Sequence, residues 1–158
     1  MVIGYLAIFL LVIAMSTYAV VRIGQFNEVT QSVLRTNNRI IDYAEKLTDS
    51  LLSQVRYERK FIITKDKVFY DEFLRLKSDF NRYLEETVSI ADSPQARSFL
   101  NSVRESYQTY EILFNEELKY LKDGHRYSQQ LYKEEKDRVT NEIMENLEVT
   151  ITRSIFKT

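Results

Sequence analysis

Cysteine is absent, so neither a disulfide nor a thiolate metal site holds this chain together, and sulfur gives no reading of its redox compartment. A single histidine excludes multi-histidine metal sites and leaves little from which to draw a general base. Three glycines and one proline are too few turn-formers for a many-stranded sheet. Excess charge is also missing: 22 basic and 23 acidic residues leave a net charge of −1. That balance provides no electrostatic footprint for nucleic acid and no polybasic run for anionic lipid. These absences leave an all-α chain of 158 residues, long enough to bury a substantial core.

The distribution of the charges is more informative than their sum. None falls between Met1 and Val21. As a helix that stretch reaches about 31 Å, enough to cross a hydrocarbon layer of about 30 Å. It has no basic lead-in, it outruns a signal-peptide core, and its small-residue pattern around Ser16 to Ala19 is poor, so it reads as an uncleaved anchor. Its basic flank (Arg22, Arg35, Arg39) lies on the C-terminal side, which by the positive-inside tendency puts the remainder in the cytoplasm.

From Ile23 the apolar residues follow three-and-four spacing. Phe26, Val33, Ile40, Leu47 and Phe61 share a row with Ala44 and Leu51 beside it, and Leu34, Ile41, Val55 and Ile62 form another. A face that broad serves a core and also a second contact, such as a dimer partner. Thr64-Lys65-Asp66 breaks the helix, with Asp66 as the next N-cap. A second helix carries Phe69, Phe73, Leu76, Phe80, Tyr83, Leu84 and Val88. Ser93 then caps a third that opens on Pro94 and presents Leu100, Val103, Tyr107, Tyr110, Phe114, Leu118 and Leu121. Lys122 and Gly124 close it, and a fourth runs through Val139, Ile143, Leu147, Ile151 and Ile155. The spacing predicts helices over about 23–64, 67–91, 94–123 and 128–156. Their stripes are buried most economically in an antiparallel up-down-up-down bundle over 22–158, continuing from an anchor at 1–21.

No catalytic constellation is present in the sequence, and no cofactor or metal is expected. His125 follows Gly124 in a turn context and lacks the glutamate three residues earlier that a di-metal bundle needs. Phosphate loops, nucleophile elbows and kinase signatures are missing. The adjacent pairs Glu116/Glu117 and Glu134/Glu135 diverge around a helix and read as surface charge. Arg56, Arg59 and Lys60 project at i, i+3 and i+4 and are the candidate contacts for an anionic ligand, small carboxylates being the first to try. Gln54 and Glu58 stand where the heptad wants apolar residues, which predicts a buried polar layer; Asn37 is a similar register-setting candidate. Among the eleven tyrosines, Tyr107 and Tyr110 fall on the core stripe and could line a small pocket.

The anchor Met1–Val21, the uninterrupted first helix and the segment Glu58-Arg59-Lys60-Phe61-Ile62-Ile63-Thr64-Lys65-Asp66, followed by Phe69, Tyr70 and Phe73, carry a resemblance. The chain resembles the extracytoplasmic four-helix-bundle sensor domains of bacterial sensor histidine kinases and chemoreceptors. The resemblance implies a homodimeric receptor input module outside the bacterial inner membrane, in the periplasm, which opposes the charge-based orientation. It also implies an unknown small-molecule or protein ligand, a second membrane crossing, and an output module beyond Thr158. Any histidine kinase activity would reside there, so this chain itself is not expected to be an enzyme. The other readings are a membrane-anchored interaction or scaffold protein and a chemoreceptor input domain.

Overall fold

The computed structural model describes residues 38–91, 93–123 and 127–155, together with Met15. The rest of the expected anchor, the start of the first helix, Asn37 and His125 lie outside the described residues. The chain divides into the units Met1–Thr36 and Asn37–Thr158, and the second is the one described below. Among the described residues there are four helices and no strand, and no helix is long and apolar enough to cross a membrane.

The first helix, α1, occupies 38–64 of the described chain. Its buried row is Ile40, Ala44, Leu47, Leu51, Gln54, Glu58 and Ile62, an alternation of threes and fours that turns one face inward. The helix stops where Lys65 enters the left-handed region at φ 58°, and its N–H closes on Phe61 O at 2.8 Å. Left-handed backbone at a helix C-terminus usually belongs to glycine or asparagine. Here neighbouring side chains supply the remaining bonds. Thr64 Oγ1 donates to Lys60 O at 2.8 Å and accepts from Asp66 N at 3.2 Å. Asp66 Oδ1 then accepts from Val68 N at 2.9 Å, capping α2, Lys67–Ile90.

Helix α2 buries Phe73, Leu76, Phe80, Leu84 and Thr87 and ends one residue before the sequence predicts. Ala91 has already turned extended (ψ 116°), and Arg97 Nε donates to its carbonyl at 2.9 Å. Ser93 Oγ accepts from Ala96 N at 3.1 Å and starts α3, Pro94–Asp123, with proline in the first turn where it has no N–H to leave unpaired. Ser128 plays the same part for α4, Gln129–Ile155, accepting from Leu131 N at 3.3 Å.

Contacts between successive helices run in opposite senses along the chain. Tyr43 meets Tyr83, Ser50 Oγ donates to Leu76 O at 2.9 Å, and Tyr57 meets Phe69. Phe80 stacks on Tyr107 with centroids 4.0 Å apart, and Phe73 packs on Phe114 at 4.4 Å. The core is uneven along its length. Leu47, Leu51, Leu84, Leu100, Ile143 and Leu147 fill one part with hydrocarbon. Closer to the α1–α2 turn, the inward positions carry Gln54, Glu58, Glu117 and Lys136 instead.

Candidate functional site

Four inward positions that periodicity reserves for apolar side chains carry polar or charged ones, and the helices bring them together. Gln54, one turn before Glu58 on α1, donates through Nε2 to Leu76 O at 3.3 Å and accepts from Tyr107 Oη at 2.6 Å. The next layer is ionic. Lys136 of α4 donates to both Glu58 of α1 and Glu117 of α3, and Tyr110 of α3 donates to the other oxygen of Glu58. Tyr127, just before α4, donates to the remaining oxygen of Glu117 at 3.1 Å. Glu58, Glu117 and Lys136 are 3%, 1% and 6% exposed, so the ion cluster is desolvated.

Two carboxylates here share one ammonium, and the electrostatics follow from that count. Burial pushes the Glu58 carboxyl above its ordinary value and the charge of Glu117 adds to the rise, while Lys136 and Tyr110 pull it back. The Tyr110 phenol is held well above its ordinary range, first by burial and then by the Glu58 charge. Tyr107 and Tyr127 are raised for the same first reason, with Glu111 and Glu117 as their acidic neighbours. All three phenols therefore stay protonated as donors.

This cluster forms one wall of a cavity of about 570 Å³ between α1, α3 and α4. Val55, Ile62 and Ile63 give it an apolar side, whereas Arg59, Lys133 and Asp137 bring charge. That volume is in the range of small-molecule sites. Arg59 is already engaged, bonded to Asp137 of α4 at 2.5 Å. Tyr120, Tyr127 and Tyr132 surround the α3–α4 connection with ring centroids 5.8 to 6.0 Å apart.

Of the residues singled out from sequence, Tyr110 and Arg59 line the cavity, and Tyr107 lies a layer away on Gln54. The basic trio does not converge. Lys60 extends over the rings of Tyr57 and Phe69 at 5.3 and 5.4 Å, on the α2 side of α1, whereas Arg59 reaches α4. Arg56 is exposed and does not line the cavity. Residues at i, i+3 and i+4 span enough of the helix circumference to find different neighbours once helices pack on both sides. The reading of Glu117 as surface charge is also overturned: Glu116 is exposed, and Glu117 is buried. Tyr110, Phe114, Glu117 and Leu121 repeat at four and three, so a strict count along α3 would have placed Glu117 inside. Likewise Lys136 extends the Val139, Ile143, Leu147 row backward by one turn.

Among the described residues no group of histidine, cysteine, aspartate and glutamate side chains is arranged to hold a metal ion. What the cluster can do is hold three helices in one register by charge, and let them move if that charge is repartitioned. Searches against protein-family models, curated proteins and solved structures find no match to this chain.

Proposed function

We propose that this chain is the signal-input domain of a membrane-bound bacterial receptor, a two-component sensor histidine kinase, and that it transmits binding by small helix displacements. In this reading the helices form an up-down-up-down bundle rising from a transmembrane anchor at 1–21, dimeric and on the periplasmic side. The observation that supports it best is the Glu58–Lys136–Glu117 cluster beside a cavity. A buried ion cluster adds little stability over well-packed hydrocarbon, and an adjoining cavity forgoes packing contacts. A bundle selected only to be stable gains from neither. A bundle that must hold two arrangements a few kcal/mol apart gains from both, because a ligand that prefers one arrangement can then shift the population.

Displacements of about 1–2 Å are the usual scale for packed helices. Helix α4 carries Lys136 and, further along, Val139, Ile143 and Leu147 on the same buried face, so a change at the cluster is felt along its length. The test is the output of the full-length protein in membranes. Polar substitution at Val139, Ile143 or Leu147 should change basal output several-fold more than substitution at exposed Asn141, Glu145 or Glu148. Equal effects from the two faces would refute the reading. Protease accessibility in spheroplasts tests the orientation.

A second reading, a membrane-anchored interaction module, is favoured by a different observation. Ile63, Val68 and Leu131 are exposed apolar residues near the α1–α2 and α3–α4 connections, where a partner protein could seat. Chemoreceptor rather than kinase output is compatible with the same bundle.

A further inference from the structure

The charge arrangement around the cavity selects among ligand chemistries, and this selection rests on the cavity being the input site. We infer that the cavity takes a primary ammonium carried on an apolar body, the ammonium pairing with Glu58 and leaving Lys136 to Glu117 alone.

The inner wall is the place to start. With both carboxylates ionised, Glu58, Glu117 and Lys136 carry one uncompensated negative charge in a desolvated layer. The other ion pair on the wall, Arg59 with Asp137, is internally neutral. An anionic ligand would add a third negative charge beside two buried carboxylates, and the cations that could receive it are already bonded to acids. Lys133 alone remains among the lining cations, and it is exposed. Small carboxylates, the first expectation from the basic trio, therefore find a cation only in exposed Lys133 and are opposed by the two acids of the inner wall.

An ammonium meets a favourable field. Each carboxylate oxygen of the cluster accepts one bond and has a second lone pair to offer. A second cation makes two matched pairs out of one shared one. Glu58 is the acid that gains, since Val55 and Ile62 flank it on α1 and present the apolar surface of the cavity next to it. The ligand's hydrocarbon lies there while its ammonium reaches Glu58. The volume accommodates a molecule the size of phenethylammonium.

The repartition has a mechanical consequence. Lys136 now ties α4 to both α1 and α3. With Glu58 taken by the ligand, α4 remains tied to α3, and its remaining ionic tie to α1 at this layer is the more exposed Arg59–Asp137 pair. A small cation is thereby converted into relative movement of α4 against α1.

The experiment compares three probes of matched shape on the purified full chain: phenethylammonium, 2-phenylethanol and 3-phenylpropionate, each by isothermal titration and thermal shift. Phenethylammonium should bind saturably, raise the melting temperature, and bind at least tenfold tighter than either control. Glu58→Gln should abolish that preference, and Asp137→Asn should leave it in place. Val55→Phe, which fills the cavity without touching the charges, serves as the second variant should Glu58→Gln fold poorly, and it should weaken ammonium binding. Tighter binding of the carboxylate or the alcohol, weakened by Val55→Phe, would overturn the ammonium class while leaving the cavity as an input site. Ammonium binding untouched by both variants, or no binding by any probe, would also overturn the inference. The receptor reading is judged separately by the output of the Val139, Ile143 and Leu147 variants.

Discussion

Replacing Lys136 by methionine tests the ion cluster directly, because it removes the cation and keeps most of the volume. Two carboxylates, Glu58 and Glu117, are then left buried with phenol donors but no counter-charge. Breaking a buried ion pair by deleting one partner costs about 3–5 kcal/mol. The unit Asn37–Thr158 has about 120 residues, and an unfolding entropy of about 2.1 cal/mol/K per residue gives about 0.25 kcal/mol per degree. Lys136→Met should therefore melt about 12–20 °C below the wild type at pH 8. Glu58→Gln should behave in the opposite way. It removes one of two competing acids, leaves Lys136 and Glu117 as a matched pair, and keeps an oxygen for Tyr110, so its stability should stay within about 1 kcal/mol of wild type.

The pH dependence separates the two variants further. The Glu58 carboxyl is raised in the folded state above its ordinary 4.5, so the folded state binds its proton more tightly than the unfolded chain does. Its contribution to stability is complete below about pH 4.5 and is lost as pH rises through the folded value. Glu58→Gln, having no proton to lose, should gain on the wild type over that interval. Lys136→Met, with two uncompensated acids, should lose stability more steeply over the same range. Urea or thermal denaturation at pH 5 and pH 8 measures both. A Lys136→Met variant within about 1 kcal/mol of wild type at pH 8, or losses of equal size for the two variants, would refute the account of the cluster.

Three further outcomes follow from local geometry. Tyr107→Phe deletes the donor to Gln54 Oε1 inside a fully buried layer and should cost about 1–3 kcal/mol by urea denaturation, with no change in secondary structure by circular dichroism. Lys65→Gly relieves the left-handed backbone at the end of α1 and should stabilise by about 0.5–1 kcal/mol; a loss would mean that the lysine side chain itself contributes. Ser93→Ala removes the N-cap of α3 and should cost about 1 kcal/mol, recovered in large part by Ser93→Asp, as thermal melts would show.

The helices were legible because their signals are local and repeated. Asp66 and Ser93 cap where the sequence places caps, and the inward rows of α2 and α3 recur at the spacing that a helix imposes. The polar layer was half legible. Gln54 and Glu58 interrupt an otherwise apolar row, so their burial can be read from α1 alone. Their partners cannot be read in that way. Lys136 lies 78 residues from Glu58, in a stretch polar enough to pass for a solvated helix end, and no periodicity links the two. The basic trio misled for a related reason: shared spacing on one helix fixes direction only to within a quadrant, and the neighbours decide the rest. The apolar stretch 1–21, on which the expectation of a membrane anchor rests, lies outside the described residues apart from Met15.

Tryptophan is missing from the chain, so its tyrosines dominate the ultraviolet emission. The ring trio at the α3–α4 connection then acquires a practical use. Tyr127 touches both its ring neighbours and the acid that Lys136 holds, and a phenol bonded to a carboxylate fluoresces more weakly than a free one. A rearrangement that loosens Tyr127 from Glu117 would thus brighten the protein without a dye, giving the molecule a native optical readout of its buried charges.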